Sequence, residues 1–351
     1  MERPFPVDLG LPWSRPLAGR WELGTLDSAA LAANPLGDPA RRPVWVYLPP
    51  GYAEGDRWPA AYLLRGHTGQ LDMWANRRAF APTFLEQVDG LFADGSVPGM
   101  VVVLVDGWTS WGGAQYLDSP ALGRYATYLC DDVVGWVDAR YRTARDRGFR
   151  ALVGHSSGGF GALSNGLARP DVWGAVASHA GDALFECCYL PDIPTVVRTL
   201  QGDYAGSWDS WWEDVRVRGM LTKDSDFALL NLWCMAACYS ADADGTVVLP
   251  FEPDGRLRPE VWERWTACDP VRAIPAHADA ACSWRAVWID AGTRDDVFLD
   301  LGARALRAAL ATAGVPDERV GFELHGGRHG GQEGRFLVSL RFLADRLHRA
   351  A

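Results

Sequence analysis

Long hydrophobic runs are missing from this chain. The longest strongly apolar stretch covers only residues 100–105, whereas a helix that crosses a bilayer needs about 20 such residues. No membrane partner is expected. A basic excess is missing too. Lys and Arg number 34 against 44 Asp and Glu, which leaves a net charge of -10. Acidic chains without a basic cluster bind phosphate backbones poorly, so no nucleic-acid partner is expected. The first residues, Met1-Glu2-Arg3-Pro4-Phe5-Pro6, lack the basic and then apolar order of an export signal. A cytoplasmic location is the expectation. The seven cysteines (Cys130, Cys187, Cys188, Cys234, Cys238, Cys268 and Cys282) are odd in number and include no C-x-x-C pair. That argues against a disulfide framework and against a zinc ribbon. Reduced thiols, no metal and no cofactor are expected. Internal repeats and low-complexity tracts are absent as well.

What is present is an ordinary globular composition, 48% hydrophobic and 22% charged, with an unusual 17 Trp. The length of 351 residues fits either two domains or one large domain with an insertion. Short apolar runs alternate with helical patterns. Runs at 44–48, 60–64, 100–105, 149–153, 172–177, 286–289 and 320–324 read as strands. Helical patterns fall at 121–141, 160–168, 299–313 and 335–349. Continuous Val- and Leu-rich strands suit a sheet buried on both faces, and alternation with helices makes it mostly parallel. An α/β fold is predicted, with a mostly parallel central sheet flanked by helices. Residues 185–282 break the rhythm. They read as helices at 194–200, 208–217, 227–240 and 259–265 with no convincing parallel strand. We expect a core of residues 1–184 and 283–351, with 185–282 as a helical cap or lid.

Gly154-His155-Ser156-Ser157-Gly158 matches G-x-S-x-G between a predicted strand and a predicted helix, the context that motif requires. Ser156 would sit in a strained turn too tight for side chains two residues before or after it. The N–H of Ser157 would then point from a helix N-terminus toward a developing oxyanion. The strand at 286–289 runs into Asp290-Ala291-Gly292-Thr293-Arg294-Asp295-Asp296, and a carboxylate here can orient an imidazole. The last strand runs into His325-Gly326-Gly327-Arg328-His329-Gly330-Gly331, a loop able to bring His329 to Ser156 as general base. Nucleophile, acid and base follow in the order of an α/β-hydrolase. Arg65-Gly66-His67-Thr68-Gly69 ends the second predicted strand. One N–H from it, that of His67 or else of Thr68, would complete an oxyanion hole with Ser157. Trp108, Trp111 and Gln115 follow the third predicted strand and are candidates for binding the acyl or alcohol part of a substrate, or for simple packing. His155 is expected to point away and to take no catalytic step.

These stretches, with Gly112-Gly113-Ala114-Gln115-Tyr116 and Ser178-His179-Ala180-Gly181-Asp182, resemble the esterase family of α/β-hydrolases. That family includes esterase D, feruloyl esterases, enterochelin-esterase-like proteins and mycolyltransferases. The resemblance implies an α/β-hydrolase fold and a serine hydrolase with Ser156, Asp295 and His329 as triad. It favours Asp295 over Asp296 through the Gly292-Thr293-Arg294 lead-in. It favours His329 over His325 through the glycine flanks and the downstream Arg335-Phe336. It also implies a structural place for His179.

The expected activity is hydrolysis of a small-molecule carboxylic ester through an acyl-enzyme. The alternatives are an acyltransferase or thioesterase using the same residues, and a non-catalytic binding protein on this scaffold. A homo-oligomer is compatible with the sequence.

Overall fold

The computed structural model describes residues 16–53 and 57–348. Met1 to Pro6, read above for an export signal, lie outside the described residues, as does the end of the last predicted helix. Eight strands form one sheet: β1 Arg20–Asp27, β2 Arg41–Leu48, β3 Ala60–Leu64, β4 Val101–Val105, β5 Arg150–His155, β6 Ala175–His179, β7 Ala286–Gly292 and β8 Val320–His325. Their order across the sheet is β1-β2-β4-β3-β5-β6-β7-β8. β2 runs antiparallel to β1 and to β4, and the other neighbours are parallel.

The central strands bury both faces. Tyr62 and Leu64 of β3 join one apolar cluster, while Ala61 and Leu63 join the other. This is the two-residue period of a strand placed between two helical layers. Helices Ser157–Ala168 and Leu299–Thr312 contribute to the first cluster, and Phe84–Phe92 and Glu333–Leu347 to the second. All seven apolar runs form strands, although the fifth lies at Ala175–His179 rather than 172–177. The predicted helix at 121–141 starts later. A two-stranded ribbon, Asp118–Ser119 with Gly123–Arg124, precedes it, and a π-helical turn at Tyr128–Val133 interrupts it.

Between β6 and β7 the chain forms helices Phe185–Cys188, Ile193–Asp203, Trp208–Arg218, Asp226–Tyr239, Pro259–Cys268, Pro270–Ala276 and Ala278–Cys282. Asp269 ties this insertion to its own start, since its carboxylate accepts the N–H groups of Leu184 and Phe185 at 3.2 and 3.0 Å. Trp208, Trp211, Trp212 and Trp233 pack ring against ring within the insertion.

Candidate active site

The turn after β5 is built by close approach. Ser156 has φ +57° and ψ -126°, a conformation that L-residues avoid, and caps the helix Ser157–Ala168. A Cβ at Gly154 would lie 2.1 Å from the Gly158 carbonyl oxygen, and one at Gly158 would lie 2.4 Å from that of Leu64. Side chains at either position would force the helix off the sheet.

Three strand ends meet at this turn. The Ser156 hydroxyl lies 3.0 Å from His329 Nε2, and His329 Nδ1 lies 2.9 Å from Asp295 Oδ2. Asp295 Oδ1 accepts the Val297 N–H at 2.9 Å. Because a carboxylate only accepts, Nδ1 carries the proton and Nε2 is left to accept from Ser156. Burial opposes charge on His329, but the hydrogen bond and negative charge of Asp295 outweigh it and hold the imidazole above its ordinary value. Burial likewise opposes charge on Asp295, and the hydrogen bonds from His329 and Val297 outweigh it, so its carboxyl is held below the ordinary value. Asp296 instead meets Arg328 at 3.0 Å on the surface. His325 turns into its own loop, where Nδ1 accepts the Gly327 N–H at 3.1 Å.

Gly66 lies directly against Ser156, and a Cβ there would come within 2.9 Å of the Ser156 Cβ. The neighbouring N–H groups are spoken for: Thr68 donates to the Gly112 carbonyl at 2.7 Å, and Gly69 to that of Gly66 at 3.0 Å. Among the described residues the His67 N–H has no acceptor. Ser157 is the first residue of its helix, so its N–H has no partner within that helix.

A cavity of about 240 Å³ opens over Ser156 and His329. Its apolar wall is Met73, Trp74, Phe336 and Phe227, and its polar wall includes Arg65, Gln332 and Glu333. Phe227 comes from the helical insertion and meets the His67 ring edge-on, with centroids 6.3 Å apart.

The three residues after β4 that sequence singled out for substrate lie elsewhere. Gln115 is buried, and its Nε2 donates to Asp182 at 2.8 Å and to the Tyr239 hydroxyl at 2.6 Å. Trp111 packs on Trp212 and Trp233 of the insertion, with ring centroids 6.2 and 5.6 Å away. Trp108 lines a separate groove with Pro43, Trp45 and Leu71. Their side chains dock the insertion and shape the neighbouring surface.

The reading of His155 also changes. Its ring lies 4.8 Å from the His329 ring, and Nε2 lies 3.0 Å from the His329 carbonyl. No sequence signal marks this, because the direction of a side chain beside a strained turn depends on the loop that arrives there. Trp74, Phe227 and Phe336 carry no signal either, because each comes from a helix far in sequence from the Ser156 turn. Glu186 pairs with Arg272 and Asp182 accepts from Tyr189, so both carboxylates are engaged within the fold.

A family model described as "Putative esterase" matches residues 39–331, most of the chain. The chain belongs to this esterase family of α/β-hydrolases. The chain is 29% identical over 176 residues to an uncharacterized protein of Corynebacterium glutamicum, which covers 48% of this chain and 38% of that one. It is 27% identical over 137 residues to an endo-1,4-beta-xylanase/feruloyl esterase of Xylanibacter ruminicola, covering 37% and 18%. The chain thus aligns with less than half the length of either relative. A solved ferulic acid esterase shares its fold, with a TM-score of 0.60, 20% identity, and coverage of 95% of this chain and 100% of that one.

Proposed function

We propose that this esterase cleaves a carboxylic ester through a covalent acyl-serine. The observation that carries this reading is the unbroken chain from Ser156 through His329 to Asp295, with contacts of 3.0 and 2.9 Å. Ser156 Oγ attacks the ester carbonyl while its proton passes to His329 Nε2. The backbone N–H groups of His67 and Ser157 stabilise the oxyanion, each such donor being worth about 3 kcal/mol. The carbonyl–oxygen bond breaks, and the leaving alkoxide takes the proton from His329. Water, deprotonated by His329, then releases the acid and restores Ser156. Asp295 holds the tautomer and balances the imidazolium charge.

The walls of Trp74, Phe227, Phe336 and Met73 favour an apolar acyl group, aromatic or short aliphatic. The names of the two feruloyl and ferulic acid esterases point the same way. Residues 185–282 act as a cap that contributes Phe227 to the pocket. The test is a fluorophosphonate probe followed by mapping of the labelled residue. Labelling at Ser156 that Ser156→Ala abolishes supports the reading, and hydrolysis of a panel of aryl and alkyl esters then sets the acyl preference. Folded protein that takes no label and cleaves no ester overturns it.

A further inference from the structure

The loop that carries His329 contains Gly326, Gly327, Gly330 and Gly331, and such a sequence has little intrinsic preference for one shape. Yet each carbonyl from His325 to His329 accepts a hydrogen bond. His325 O accepts from the Thr293 N–H at 2.7 Å, Gly326 O from Arg294 Nε at 2.9 Å, and Gly327 O from the Arg294 N–H at 3.1 Å. Arg328 O accepts from Gln332 Nε2, and His329 O from His155 Nε2 at 3.0 Å. The first three donors belong to the loop after β7, and the fourth lies just beyond this loop itself. Only the fifth comes from the strand that carries the nucleophile.

We propose that His155 is a positioning residue, whose Nε2–H grips the His329 carbonyl and sets the base in register with Ser156. This rests on the reading of Ser156 and His329 given above. A carbonyl only accepts, so the bond requires a proton on His155 Nε2. Burial, and next the nearby His329, push His155 down to about 3, so its ring stays uncharged while His329 gains and loses its proton. An uncharged donor can hold the base without competing for that proton. A displacement of about 1 Å at a reacting group can cost about 100-fold in rate, so a single tether at this point carries leverage.

Met and Gln have similar size and shape, but only Gln offers an N–H. His155→Met is expected to lower kcat 10- to 100-fold, with KM within threefold and fluorophosphonate labelling slowed in parallel. His155→Gln is expected to recover most of both rates. Equal rates in the two variants, whether both normal or both impaired, overturn the proposal. A second measurement needs no variant. The ¹⁵N shift of His155 Nε2 in the wild-type protein should be that of a protonated ring nitrogen from pH 5 to 8, and an unprotonated shift there overturns the proposal. Ser156→Ala and His329→Ala separate this outcome from failure of the main reading: if both are inactive while His155→Met is normal, only the tether is wrong.

Discussion

Among the described residues, two hydroxyl–imidazole–carboxylate chains can be compared. One is Ser156, His329 and Asp295, with contacts of 3.0 and 2.9 Å. The other is Ser339, His179 and Asp290, with contacts of 2.9 and 2.8 Å. By distance alone they are equivalent. Their surroundings differ. Ser339 lies inside the helix Glu333–Leu347 and is 0% exposed. Its hydroxyl also donates to the Phe336 carbonyl at 3.1 Å. Asp290 is further engaged by Trp288 Nε1 at 2.8 Å and Arg335 Nε at 2.9 Å. The second chain is a brace that pins the last helix to the ends of β6 and β7. What sets Ser156 apart is its strained backbone, its place at a helix start, its open face and the adjacent His67 N–H. Proton-relay geometry is common in folded proteins; access and oxyanion donors are the scarcer parts.

The comparison breaks most visibly at the carboxylates. Asp295→Asn is expected to lower kcat about 10⁴-fold, because it reverses the tautomer of His329, with little change in thermal stability. Asp290→Asn should do the reverse. It leaves Arg335 without its buried counter-charge and should cost about 3 kcal/mol in urea unfolding, while Ser156 still takes the probe. Should Asp290→Asn abolish labelling of folded protein, the two chains would not be independent.

The pH profile sharpens the contrast. His329 must be neutral to accept the Ser156 proton, and Asp295 raises its pKa, so the rising limb of kcat/KM should fall above the ordinary histidine value of about 6.5. In Asp295→Asn the residual activity should rise at lower pH, since the group that favours the imidazolium is gone. A limb that stays in place would assign the titration to another group. The smallest effect belongs to Ser339→Ala, which should cost about 1 kcal/mol and leave the labelling rate unchanged.

Much of this was legible in sequence because it is local. The apolar runs mark the central strands, and the elbow motif with its two required glycines marks the strained turn at Ser156. The choice of Asp295 over Asp296 came only through family resemblance, since both carboxylates sit on the same loop; the structure separates them by burial and by their partners. β1 has no continuous apolar run to mark it, because it is an edge strand whose apolar residues are interrupted by Arg20, Glu22 and Thr25. The helix Phe84–Phe92 did carry a signal, the Thr83-x-x-Glu86 capping box, in which each side chain accepts the other residue's N–H. Gln115 and His155 were misplaced for another reason. Gln115 and the next residue Tyr116 have positive φ, as does Ser156 directly after His155, and there small backbone rotations decide which neighbour a side chain meets.

Separation along the chain has a consequence for biosynthesis. Ser156 precedes His329 by 173 positions, and the whole helical insertion lies between β6 and the strand that delivers Asp295. A polypeptide emerging from the ribosome therefore presents Ser156 as an ordinary alcohol for most of its elongation. On the proposed mechanism, reactivity arrives only when β7 and β8 pair at the far side of the sheet. On that mechanism, order of synthesis alone keeps Ser156 of an unfinished chain without its base.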